Sequence, residues 1–149
     1  MFDTRFSVRL LGPADAALLA NADPELFDRP VDARWSAEFL GDPRHHIVVA
    51  LVEDRVVGSA TAVHHVHPDQ APTLYIVEVA VAQTHQQRGI AKAMLATLLA
   101  HGSTLGCTTA WVGTESDNAA ARALYTAAGG TLDADAFVTY SFALPAAPP

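Results

Sequence analysis

One cysteine, Cys107, is the only thiol that 149 residues carry, so the chain has no internal disulfide and no thiolate zinc knuckle. Lysine is as scarce: of nine basic residues only Lys92 is not arginine, and sixteen acidic residues leave a net charge of −7. Nucleic acids and anionic membranes call for basic patches, so this balance points away from both and towards a cationic partner. No apolar run reaches the roughly 18 residues that span a bilayer. The start, Met1 to Leu11, lacks the charged-then-apolar order of a secretory signal, and the expected location is cytoplasmic. Neither an internal repeat nor a linker interrupts the chain. With 50% hydrophobic residues it reads as one domain, 1–144, followed by a Pro/Ala tail, 145–149, expected to be disordered or extended.

Periodicity divides the domain. Thr4 to Leu10 alternates as a strand does, Gly12-Pro13 punctuates, and Ala14 to Ala20 reads as a short helix. The stretch 23–32, with prolines at 24 and 30, reads as loop or broken helix, and Trp35 to Leu40 as a turn or two of helix. His46–Val52 and Val56–Val66 form two arms of a hairpin around residues 53–55. Thr73–Ala82 is almost continuously apolar, as a strand covered on both faces would be. From Arg88 the period becomes helical, with Ile90, Met94, Leu95, Leu98 and Leu99 on one side and Gly106 as the stop. A short strand at Thr108–Val112, a helix at Ala119–Ala128 and a last strand at Ala136–Leu144 complete an α/β order with helices on both faces of the sheet.

Between the apolar strand and the long helix lies Gln86-Gln87-Arg88-Gly89-Ile90-Ala91. Free amides at a helix start, with the dipole behind them, attract anions; Gly89 permits close approach, and Arg88 and Lys92 add charge. On spacing alone an ordinary strand-to-helix turn fits as well. Glu78 breaks the apolar strand, either as a buried acid paired with an arginine or amides, or as a general base whose pKa burial raises. Tyr125 sits beside Leu124 in an alanine-rich helix, where a core aromatic is the simplest reading. His64, His65 and His67 cluster in sequence, but strand alternation splits them and no Asp or Cys stands at ligand spacing, so no metal is expected; His65 reads as solvated loop or acceptor-pocket wall. Asp28, Asp32, Glu115 and Asp117 are surface acids and caps, or together a negative mouth.

Three motifs carry a resemblance. Gln86-x-x-Gly89-x-Ala91 is similar to the pyrophosphate loop of the GNAT N-acetyltransferase superfamily. The segment from Leu74 to Val81 resembles that family's splayed strand, and Asn118-x-x-Ala-x-x-Leu-Tyr125-x-x-x-Gly129 its last helix. The resemblance implies a mixed, mostly antiparallel sheet with splayed central strands that bind acetyl-CoA as cosubstrate. It implies that Val79, Ala80 and Val81 meet the pantetheine arm, that Gln86 to Lys92 (with Gln87, Arg88, Gly89, Ile90 and Ala91) and Asn118 hold the cofactor, and that Tyr125 protonates the leaving thiolate. Acetyl would then pass directly to an amine, with Glu78 as base and no acyl-cysteine at Cys107. Within the superfamily the same segments resemble aminoglycoside 3-N-acetyltransferases, which makes Asp28, Asp32, His65, Glu115 and Asp117 candidate ligands for a small cationic amine. In those enzymes an Asp stands where this chain has Glu78, and their acidic stretch before the last helix is only partly matched by Glu115–Ala119. Acetylation of another small amine, an amino acid or a protein N-terminus, and a CoA-binding sensor without turnover, are the competing readings. Many members form homodimers through their C-terminal strands, and the sequence leaves that open.

Overall fold

The computed structural model describes residues 5–133 and 137–148. Its frame is a five-stranded sheet in the order β1-β2-β3-β4-β5, built from Ser7–Leu10, His45–Val52, Arg55–His65, Thr73–Val81 and Thr109–Val112. The first four strands pair antiparallel and β5 joins β4 in parallel, so the sheet is mixed and mostly antiparallel, as expected. Between β2 and β3, Glu53 and Asp54 both take left-handed φ (49° and 64°), which lets a two-residue turn follow the twist of the hairpin.

Helices cover the two faces unequally. On one face α3, Ile90–Thr104, lays Ile90, Met94, Leu95 and Leu98 over Val48, Ala60, Ala62, Leu74 and Ile76. The approach is close. A Cβ on Gly102 would stand 2.8 Å from the Leu74 side chain, and one on Gly58 would stand 3.1 Å from Met94. The helix ends near Gly106, whose φ of 88° is the left-handed stop that the sequence suggests. The last helix, α4 (Ala119–Ala127), adds Leu124 and Tyr125 to the margin of this cluster. On the other face α1 (Ala16–Ala20) and α2 (Ala33–Gly41) enclose a smaller core of Leu19, Leu26, Leu40, Ile47, Val49 and Val56. Helix α2 is longer than the turn or two expected, because Asp32 caps it by accepting from the amides of Arg34 and Trp35.

Three expectations need correction. The strand expected over Ala136–Leu144 is not formed: residues 137–144 have no regular structure, and Val138, Tyr140, Phe142 and Leu144 are all exposed (Ala136 lies outside the described residues). Their alternation suits a strand, yet a strand needs a neighbour to complete its ladder, and none pairs with them among the described residues. The strand over Thr73–Ala82 is not covered on both faces, since Val77 and Glu78 are exposed. The first strand is shorter than expected and begins at Ser7; Thr4 lies outside the described residues. Residues 145–148 are exposed and without regular structure.

Candidate active site

The site is built where β4 loses its neighbour. Pairing with β5 runs from Thr73↔Thr109 to Ile76↔Val112 and stops there, so Val77–Val81 have no β5 partner and the two strands diverge. At the same point the register with β3 shifts: Thr61 faces Glu78 while Ala62 faces Ile76, leaving Val77 as an inserted residue. This bulge re-aims the strand and opposes Glu78 to Thr61.

Beyond β4 the chain makes a one-turn helix, Gln83–His85, and then the loop into α3. Two residues of this loop hold left-handed φ: Gln87 at 61° and Gly89 at 79°. Gly89 stands at the start of α3, and no side chain caps that helix. The first-turn amides of a 15-residue helix therefore face outward with the positive end of its dipole behind them. The Gln86 side chain donates to the Val81 carbonyl at 3.1 Å and ties the loop to the open strand.

Strand, loop and helix start form one wall of a cavity of about 580 Å³, and α4 forms the other. Val79, Ala80, Val81, Gln86, Gln87, Gly89, Ile90, Ala91, Lys92, Asn118 and Tyr125 all line it, joined by His85, Ala120, Ala121 and Leu124, which sequence reasoning did not single out. Arg88 is exposed on the same loop and is not among the lining residues. Asn118 does double service: its side chain accepts from the Ala121 amide at 3.0 Å, capping α4, while it also borders the cavity. Tyr125 is half-buried, and desolvation pushes its phenol above the usual value, so at neutral pH it is a proton donor. Open amides, one ammonium and a groove alongside an unpaired strand edge fit a long ligand with phosphates at one end. Burial likewise pushes the Cys107 thiol up, away from thiolate chemistry.

A second cavity, about 410 Å³, lies on the α1/α2 face. Asp28 and Asp32 line it with Arg29, among apolar residues that include Phe27, Trp35, Phe39 and Ile47, and Thr61 borders it from β3. Thr61 links this cavity to the bulge, because it is the cross-strand partner of Glu78. Glu78 itself is exposed, so the burial expected of it is absent, and it lines neither cavity. His65 is at the far end of β3, its ring 5.6 Å from that of His67, and Glu115 and Asp117 lie in the exposed loop before α4; none of the three lines either cavity.

His64 joins a different group. His46 Nε2 lies 2.8 Å from His64 Nδ1, and His46 Nδ1 lies 3.1 Å from His101 Nε2. His46 spends both nitrogens on its neighbours, which makes a chain of imidazoles rather than a ligand set, and no group of three potential metal ligands occurs among the described residues. Burial, with the neighbouring imidazoles, holds His46 down at about 4. The chain sits at the C-terminal end of α3, away from the loop at its start.

A mixed sheet that opens beside β4, with an uncapped helix start over the opening, defines a domain built to hold a phosphate-bearing cosubstrate against an acceptor face. The sequence profile of the Acetyltransferase (GNAT) family matches residues 16–129, and the chain belongs to that family. No curated protein matches it in sequence. Among solved structures, an aminoglycoside acetyltransferase from an uncultured soil metagenomic sample, meta-AAC0020 in complex with sisomicin, superposes with a TM-score of 0.81 at 19% identity, covering 94% of this chain and 97% of that one. Aminoglycoside N-acetyltransferase AAC(6')-Iy in complex with CoA gives 0.77 at 20% identity, with 95% and 97% covered. The ribosomal-protein-alanine N-acetyltransferase of Brucella melitensis biovar Abortus 2308 gives 0.71 at 20% identity, with 92% and 100% covered. At such identities these neighbours show the fold.

Proposed function

We propose that this acetyltransferase carries acetyl from acetyl-CoA to a primary amine of an aminoglycoside-like polycation, acting in the cytoplasm. The reading rests above all on the place of Glu78: the cavity over the open half of β4, lined from Val79 onward, suits the donor, and the acidic aromatic cavity reaches Thr61, the cross-strand partner of Glu78. When bound, acetyl-CoA supplies an activated acyl group as its thioester. The β4 edge at Val79–Val81 holds the pantetheine arm, the amides around Gly89 with Lys92 hold the phosphates, and Asn118 flanks the arm from α4. Arg88 adds charge from the loop exterior. An amine is an ammonium at neutral pH, so it must lose a proton before it attacks; the Glu78 carboxylate takes that proton, directly or through a water. The freed amine bonds to the acetyl carbon, whose oxygen a backbone N–H in Val79–Val81 polarises. The C–S bond then breaks, the Tyr125 hydroxyl gives its proton to the departing sulfur, and the proton that the nitrogen sheds on becoming an amide restores the Tyr125 hydroxyl.

Asp28 and Asp32 outnumber Arg29 in the acceptor cavity, and the net charge of −7 attracts a polycation. The sequence motifs support the 3-amino group as target, whereas likeness to AAC(6')-Iy supports the 6' position. Likeness to the Brucella enzyme favours a second reading, a protein N-terminal amine. Release of CoA thiol from acetyl-CoA, followed with a gentamicin-type aminoglycoside, spermidine and a peptide with N-terminal alanine, separates them. Release with the aminoglycoside far above the other two is the expected result; release with the peptide alone would overturn the reading. Tyr125→Phe should lower kcat while acetyl-CoA still binds, and full activity would reduce Tyr125 to packing.

A further inference from the structure

The register that carries Glu78 to the acceptor face carries two aromatic rings there as well. Tyr75 pairs with Val63, Glu78 pairs with Thr61, and Val63 and Thr61 are two residues apart on β3; Tyr75 and Glu78 therefore share a face despite the bulge between them. On β5, Trp111 pairs with Tyr75, and their rings stack at a centroid distance of 4.1 Å and 22°. Tyr75 is half-buried, and Trp111 remains 46% exposed. A stack uses one side of each ring, so aromatic surface is left open next to the carboxylate.

We infer that the Tyr75–Trp111 stack is a docking platform for a ring of the acceptor, selecting cyclic polyamines whose amine is delivered to Glu78. This inference rests on the function proposed above and names how that site chooses its substrate. A saturated, aminated ring offers the platform a C–H face, and its ammonium groups are drawn to the negative faces of Trp and Tyr. The acids of the acceptor cavity, Asp28 and Asp32, lie on the same side of the sheet as Glu78, joined to it through Thr61. Val63 and Thr61 are separated by roughly 7 Å along the strand, so a molecule that touches both the stack and the acids has to be longer than one ring. A cation of two or three linked rings meets that demand, and the chain's negative charge suits it.

Trp111→Leu removes the flat ring and keeps an apolar side chain, while Trp111→Phe keeps a flat ring. With an aminoglycoside of the sisomicin type, Trp111→Leu should raise KM for the acceptor about tenfold and leave KM for acetyl-CoA and the melting temperature unchanged. Trp111→Phe should restore most of the loss. An unchanged acceptor KM in Trp111→Leu overturns the platform and leaves the proposed function standing. A change in sedimentation instead of KM assigns the stack to an interface between copies, and overturns it too. A wild-type protein that acetylates no aminoglycoside overturns the proposed function, and the platform falls with it.

Discussion

The two faces of the sheet are made from similar strands and finished differently. Under α3 the cover is continuous: Met94 and Leu98 are fully buried, and two glycines are needed to let helix and sheet approach. Over the opposite face the cover of α1 and α2 lies on β2 and the start of β3, while Tyr75 is half-buried and Val77, Glu78 and Trp111 are exposed. The first face holds the fold together, and the second exposes a carboxylate and the Trp111 ring, which a fold alone would not need. Substitutions on the two faces should therefore separate stability from turnover.

The largest effect belongs to the open face. Glu78→Gln keeps the shape of the side chain and removes its basicity, so kcat should fall by about 10²–10⁴ while the melting temperature stays unchanged. Steady-state rates across pH check this, and a variant with wild-type rate and profile would remove Glu78 from proton transfer. On the closed face Leu98→Ala empties a fully buried position and should cost about 3 kcal/mol in urea unfolding, with kcat kept wherever the protein is folded. A loss of turnover without a loss of stability would break the division between faces.

A smaller effect comes from the imidazole chain, where β2 and β3 meet the end of α3. His46 is held at about 4 in the folded state against 6.5 for a free imidazole, so the unfolded chain binds more protons between those values. Stability is therefore full above pH 6.5 and declines as pH falls towards 4, by about 1–2 kcal/mol once solvent screening is allowed for. His64 and His101 face His46 from β3 and α3, with His45 and the Asp42–Arg44 pair on its own side. Urea unfolding at pH 7.5 and pH 5 measures the decline, and His46→Gln should flatten it.

Local patterns in the sequence determine much of this architecture. The loop before α3 is readable because Gly89 and the 3.6-residue period of Ile90, Met94 and Leu98 are neighbours in sequence. The cap at Asn118 is readable for the same reason. Glu78 stands out as a charge in an apolar run, but its exposure depends on the bulge at Val77 and on where β5 ends, and both are matters of register between strands. The acceptor cavity was legible only in Asp28 and Asp32. Trp35 and Thr61 reach it because α2 starts at Ala33 under the Asp32 cap and β3 pairs as it does. The imidazole chain joins residues 18 and 55 positions apart, which periodicity does not relate. Over residues 138–144 alternation states a preference that the described structure leaves unpaired.

Hydrogen exchange with the ligands added in turn tests most directly that donor and acceptor meet at Glu78 from two cavities. Acetyl-CoA alone should slow exchange in the loop 86–92 and in α4 around Tyr125. A sisomicin-type aminoglycoside added next should slow it at residues 27–39 and in β4 around Glu78, with the His46–His101 end unaffected by either. Aminoglycoside protection confined to the imidazole end, or none on the α1/α2 face while acetyl-CoA is bound, would contradict the account.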